Sequence, residues 1–145
     1  MIAIASRLFV IACLLLLGCG TTLNVNSAEN QITPRVGQEF SLKVGQQLNL
    51  DGVDLQVKFT GVSQDSRCPS NVNCVWAGNA EVTLNLLHNK CNTSIILNTH
   101  RTSGTGDEAK VGPFRIKLVK LDPYPHTEKK IAPGDYAATL LVTKE

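Results

Sequence analysis

Val53-Asp54-Leu55-Gln56-Val57-Lys58-Phe59-Thr60 alternates apolar and polar residues without a fault. Successive side chains of a strand point to opposite faces, so this octet is a strand with one dry face and one wet face. Ala80, Val82, Leu84 and Leu86 repeat the pattern against Glu81, Thr83 and Asn85. Upstream, Phe40, Leu42 and Val44 lead into Gly45-Gln46, with Leu48 and Leu50 beyond, the form of a hairpin closed by a Gly-containing turn. Downstream, Thr93 to Asn98, Phe114 to Leu121 and Tyr136 to Thr143 bring the total to about seven strands, punctuated by Asp51-Gly52 and Pro133-Gly134.

No segment sustains a 3.6-residue period, which argues against the βαβ folds that hold nucleotides at helix N-termini. The expected class is all-β, a single antiparallel β-sandwich of immunoglobulin-like shape, with a small barrel as second choice. Tyr136 follows Pro133-Gly134-Asp135 and is either a tyrosine corner or an ordinary strand aromatic. Thr99 to Gly112 reads as a mobile polar loop.

The N-terminus has a different character. A start carrying one cation, Arg7, runs into the apolar segment Leu8 to Leu17 and closes on Leu16-Leu17-Gly18-Cys19. That run is too short to span a bilayer, which takes roughly 20 apolar residues, and it resembles the signal peptide and lipobox of bacterial lipoproteins. The resemblance implies removal of residues 1–18 and lipidation of Cys19 on its sulfur and its amino group; the competing reading is an ordinary secretory signal cut later, near Ala28, which would leave a soluble product. Acyl chains contribute about 0.8 kcal/mol per buried methylene, so two or more make a firm membrane anchor. Gly20 stands where an Asp is associated with inner-membrane retention in some enteric bacteria. The expected place is therefore the bacterial cell envelope, facing the periplasm or exterior, with the outer membrane favoured in a Gram-negative host. Residues 19–35 are polar and aperiodic and read as a flexible tether, leaving 36–145 as the folded domain.

Charge points to no polyanionic partner. The chain has 14 Lys and Arg against 12 Asp and Glu, and loss of Arg7 brings the balance closer still. The charges are spread rather than blocked, which gives no reason to expect nucleic acid.

The most specific string in the domain is Asp65-Ser66-Arg67-Cys68-Pro69-Ser70-Asn71-Val72-Asn73-Cys74-Val75-Trp76-Ala77-Gly78-Asn79-Ala80. In an oxidising compartment Cys68 and Cys74 are expected to pair, closing a small loop worth on the order of 2 to 3 kcal/mol. Trp76 is expected to pack beside the disulfide as a core plug, and Gly78 to mark a backbone bend or a close approach. The competing reading presents the stapled loop as a recognition surface, with Asp65 and Arg67 at its rim and Trp76 as anchor, since rigidly held loops often carry binding. Asp65 and Arg67 bonded to each other or to loop amides would fit the structural reading. The string resembles a D-S-R-C-P-x-x-V-x-C-x-W-x-G-x-A motif of uncharacterised small bacterial secreted proteins and lipoproteins. That resemblance bears on fold and location and implies no activity.

Cys91 is left over, three residues after His88. It is a candidate buried thiol, a rival partner for Cys68 or Cys74, or an intermolecular link. A zinc site from Cys68, Cys74, Cys91 and His88 has four ligands of the right type but lacks a C-x-x-C pair. Ser103-Gly104-Thr105-Gly106 lacks the lysine of a phosphate loop, Asp107-Glu108 does not make a calcium loop, and neither H-E-x-x-H nor G-x-S-x-G occurs. No cofactor or metal is called for. The expectation is a non-enzymatic structural or binding module, joined to a membrane by its lipid and to an envelope protein or glycan by its loop. The alternative is a metal-dependent or thiol enzyme centred on Cys91 and His88.

Overall fold

A computed structural model describes residues 33–100 and 106–145, so the expected signal peptide (1–18), Cys19 and most of the tether lie outside the described residues. Among the described residues eight strands follow in order: β1 (Glu39–Lys43), β2 (Gln47–Asn49), β3 (Leu55–Asp65), β4 (Ala80–His88), β5 (Cys91–Asn98), β6 (Glu108–Val111), β7 (Phe114–Asp122) and β8 (Ala137–Lys144). They form two antiparallel four-stranded sheets, ordered β1-β8-β7-β6 and β2-β3-β4-β5. The sheets pack face to face as a sandwich and do not close into a barrel.

Alternation does what it promised. Leu55, Val57 and Phe59 of β3 and Ala80, Val82, Leu84 and Leu86 of β4 meet Phe114, Ile116, Leu118, Leu140 and Val142 of the opposite sheet in one buried cluster. Burial of each large side chain contributes roughly 1.5 to 3 kcal/mol, which is what holds the two layers together. Where the phase breaks, a bulge accounts for it. The register of β7 shifts between Leu118 and Lys120, so Leu118 and Leu121 both face inward while Val119 is exposed. Two register shifts in β3, between Phe59 and Gly61 and between Val62 and Gln64, leave Val62 opposite Val82 and Asp65 opposite Ala80. A carboxylate thus faces the interior at the end of the strand.

Three details differ from the sequence reading. Gly45-Gln46 does not close a hairpin, because β1 pairs with β8 and β2 with β3. The turn is instead a corner between sheets, held where Gly45 N donates to the Phe59 carbonyl and Phe59 N to that of Gln46, at 2.7 and 3.0 Å. Part of the expected loop Thr99 to Gly112 is strand β6, turned back onto β7 through Gly112 at φ 57°. Four residues with only two apolar side chains, Ala109 and Val111, carry too little alternation to stand out. The fold also begins before residue 36: Pro34 is buried, its carbonyl accepts from Asp51 N at 3.0 Å, and Arg35 Nε donates to Asp51 at 3.0 Å.

Replacing Phe59 with Ala is expected to cost about 3 to 5 kcal/mol in denaturant unfolding, because the ring is fully buried between the layers. Val119→Ala, on the exposed bulge, is expected to stay within about 0.5 kcal/mol of the parent.

Candidate functional site

The two ends of the sandwich are unlike. At one end the connections are tight: β4 and β5 are joined by Asn89-Lys90 alone, both at positive φ, and β6 and β7 by Gly112-Pro113. At the other end lie the long connections, 66–79 between β3 and β4 and 123–136 between β7 and β8. Arg35, where the chain enters the domain, bridges to Asp51 at the tight-turn end. The eleven residues of β3 separate that point from Asp65 by about 30 Å, at about 3.3 Å per residue.

The 66–79 loop is closed at its base by backbone. Ser66 N donates to the Asn79 carbonyl at 2.7 Å and Cys68 N to that of Ala77 at 3.0 Å. A Cβ on Gly78 would sit 1.8 Å from the Ser66 oxygen, and its φ is +70°, so both crowding and conformation require glycine there. Cys68 and Cys74 form the disulfide and Cys91 is free, so the rival pairings do not occur. The loop leans on the other long connection: Ser70 N donates to the Pro125 carbonyl at 3.0 Å, and Asn71 and Thr127 are joined in both directions.

Asp65 and Arg67 lie under this loop and do not form its rim. Their side chains are 10% and 4% exposed and their closest atoms are 2.7 Å apart. Arg67 Nε and Nη2 donate to the two Asp65 oxygens, Nη1 donates to the Leu121 carbonyl at 2.7 Å, and Nη2 also donates to that of Pro123 at 2.9 Å. The guanidinium sits 5.1 Å from the Tyr124 ring centre. Tyr136 adds its hydroxyl, donating to Asp65 at 3.0 Å. Tyr136 is therefore buried, and its hydroxyl goes to a carboxylate on the opposite sheet. Burial pushes the Asp65 carboxyl up, but the hydrogen bonds and charge of Arg67, with the Tyr136 hydroxyl, bring it below its ordinary value. Burial, and then the bond and charge of Asp65, hold the Tyr136 phenol above its usual range.

Trp76 corrects the other expectation. It is no core plug: it stands 82% exposed, beside Val75 at 91% and Val72 at 43%. Seven residues from Asn71 to Ala77, the disulfide-bonded Cys74 among them, are all exposed, so the indole has no core within reach. From Cys68 to Asn79 the loop carries no charged residue. Tyr124, also exposed, walls two shallow clefts: one of about 620 Å³ with Lys129, Ile131 and Asp135, and one of about 350 Å³ with Arg67, Thr99 and Val119. Sequence reasoning missed Tyr124, whose neighbourhood depends on two chain segments meeting.

Cys91 and His88 face each other across the tight β4–β5 turn, at the far end of β4 from Cys68. Both His88 nitrogens are engaged, Nδ1 with the Asp54 carbonyl at 2.6 Å and Nε2 with Asn89 at 3.1 Å, and its ring packs edge-on against Phe114. With two of the four cysteine and histidine ligands tied in a disulfide at the opposite end, the conceived zinc set does not come together. No cluster of three or more His, Cys, Asp or Glu side chains fit for a metal occurs among the described residues.

Arg67→Met is expected to cost about 3 to 5 kcal/mol by stranding the Asp65 carboxylate, and Asp65→Leu with Arg67→Met to recover part of that loss. The pair's contribution is present above the ordinary carboxyl value near 3.8 and is lost as pH falls through the lowered folded value. Melting curves of the parent should therefore fall below about pH 4, whereas Arg67→Met, whose stranded carboxyl is pushed up by burial, should begin to recover as pH falls toward 4, so that the gap between the two starts to narrow above that pH. Gly78→Ala is expected to cost more than the about 1 to 2 kcal/mol of left-handed backbone alone, read by the same curves. No family profile, curated protein or solved structure matches this chain.

Proposed function

We propose that the protein is a lipid-anchored, non-enzymatic binding module of the bacterial cell envelope that captures a protein partner through the tip of its stapled loop. The observation that carries this reading is the exposure of Trp76, Val75 and Val72 on a loop that backbone hydrogen bonds, a disulfide and the buried Arg67 all hold still. An uncharged, apolar tip that carries a Trp matches the composition of protein-interface cores, where a few rigid anchors contribute most of the binding energy. Holding the loop in one conformation beforehand lowers the entropy lost on binding.

The chain enters the domain at the tight-turn end, opposite the long loops that carry the exposed tip. Asp65 and Arg67 serve this function as the foundation of the loop and not as its contact residues.

The test is capture from envelope extracts with the intact lipidated chain. Trp76→Ala with Val75→Ser is expected to weaken capture at least tenfold while leaving the melting temperature within about 2 °C, since neither side chain is buried. Capture that survives this change, or capture of glycan in place of protein, would overturn the reading. The anchor is checked separately: the N-terminal peptide of envelope material should begin at an acylated Cys19, and Cys19→Ser should release the chain from the membrane.

A further inference from the structure

The edges of the two sheets are unequally protected. An edge strand displays unpaired backbone groups, and proteins ordinarily guard it by shortness, charge or proline. Strand β2 is three residues long. Strand β6 has four residues and carries Glu108 and Lys110, with Glu108 bonded to Arg115, and Lys110 and Arg115 both bonded to Glu145. Strand β5 has none of these guards. It is eight residues long, Cys91-Asn92-Thr93-Ser94-Ile95-Ile96-Leu97-Asn98, without charge or proline, and lies at the end of its sheet.

The direction of its free groups follows from the register. Thr99 N donates to the Ala80 carbonyl, and hydrogen-bonded pairs recur at every second position of an antiparallel ladder. The odd-numbered residues of β5 therefore exchange hydrogen bonds with β4, from Leu97 opposite Val82 down to Cys91 opposite His88, and the even-numbered ones point outward. Asn98 N is capped by the Gly106 carbonyl at 3.0 Å. The outward N–H groups of Asn92, Ser94 and Ile96 have no backbone partner among the described residues. Ile96, on the outer face, is 53% exposed.

We propose that β5 pairs antiparallel with β5 of a second copy, joining the two sheets into one across a two-fold axis at Ser94. This interaction is independent of the loop function. A second copy is the occupant that the strand's chemistry fits, because self-pairing sets each side chain against its own strand, and a strand without charge meets no repulsion. The register is determined by the unused groups. Only pairing about Ser94 matches Asn92 with the partner copy's residue 96, Ser94 with itself, and Ile96 with residue 92, so that every free outward N–H finds a carbonyl. The same pairing covers Ile96. A two-fold contact of this kind closes on itself and does not propagate into a fibre.

The experiment uses the full chain carrying Cys91→Ser, so that the native thiol takes no part. Sedimentation is expected to show a concentration-dependent dimer. Ser94→Lys places like charges opposite each other at the axis and should weaken dimerisation at least tenfold with the melting temperature unchanged. Ser94→Cys should crosslink across the axis on mild oxidation, several-fold faster than Asn92→Cys, whose opposite residue is Ile96. Ser94→Lys that shows native circular dichroism but still dimerises, a monomer at 100 µM (about ten times a micromolar-range Kd of about 10 µM), or equal crosslinking of the two cysteine variants would overturn the proposal.

Discussion

The bidentate contact between Asp65 and Arg67 is the constraint on which the loop end of this domain depends. Its two side chains come from residues two apart in the chain, yet their hydrogen bonds reach Leu121 at the end of β7 in the opposite sheet and Pro123 and Tyr136 in the connection that follows it. The bulges in β3 put a carboxylate inside, the carboxylate draws in a guanidinium, and the guanidinium uses its remaining donors on carbonyls where β7 ends. A buried charge pair of this kind adds little to stability against an apolar replacement, because desolvation offsets attraction. What it contributes is position: each partner is costly to leave alone, so both connections are held in one arrangement.

That arrangement gives the molecule a direction. Tight turns at one end need only satisfy local backbone geometry, whereas the long connections at the other end brace each other through Ser70, Asn71, Pro125 and Thr127. The tip left over after this bracing is apolar and outward-facing. Rigid scaffolding beneath and exposed Val75 and Trp76 above are two consequences of the same packing.

Much of the fold was legible because half-buried strands write themselves in period two. Residues 55–60 and 80–86 are strand for that reason, although β3 starts at Leu55 and not at Val53, and the Cys68–Cys74 bond matches what their spacing and an expected oxidising compartment imply. Strand β6 was missed because an edge strand with two partly buried apolar residues leaves almost no periodic signal. Trp76 was misjudged because its residue type favours burial on average, and whether a core lies within reach is not a local property. Of the two readings open for Asp65 and Arg67, the mutually bonded pair holds and the loop rim does not.

By itself the sequence determined the all-β class, the location of the principal strands, the apolar face of each, and the chemistry that one loop carries, since all of these follow from residue order and local spacing. The neighbours of each strand were decided only by tertiary structure. β1 lies beside β8, nearly a whole domain away in sequence, because antiparallel alternation tells which face of a strand is dry and is silent about which strand sits next to it. The same holds for the site: the charged pair went inside and the indole outside because of what the opposite sheet offered at that end, and no reading of the chain in one dimension contains that information.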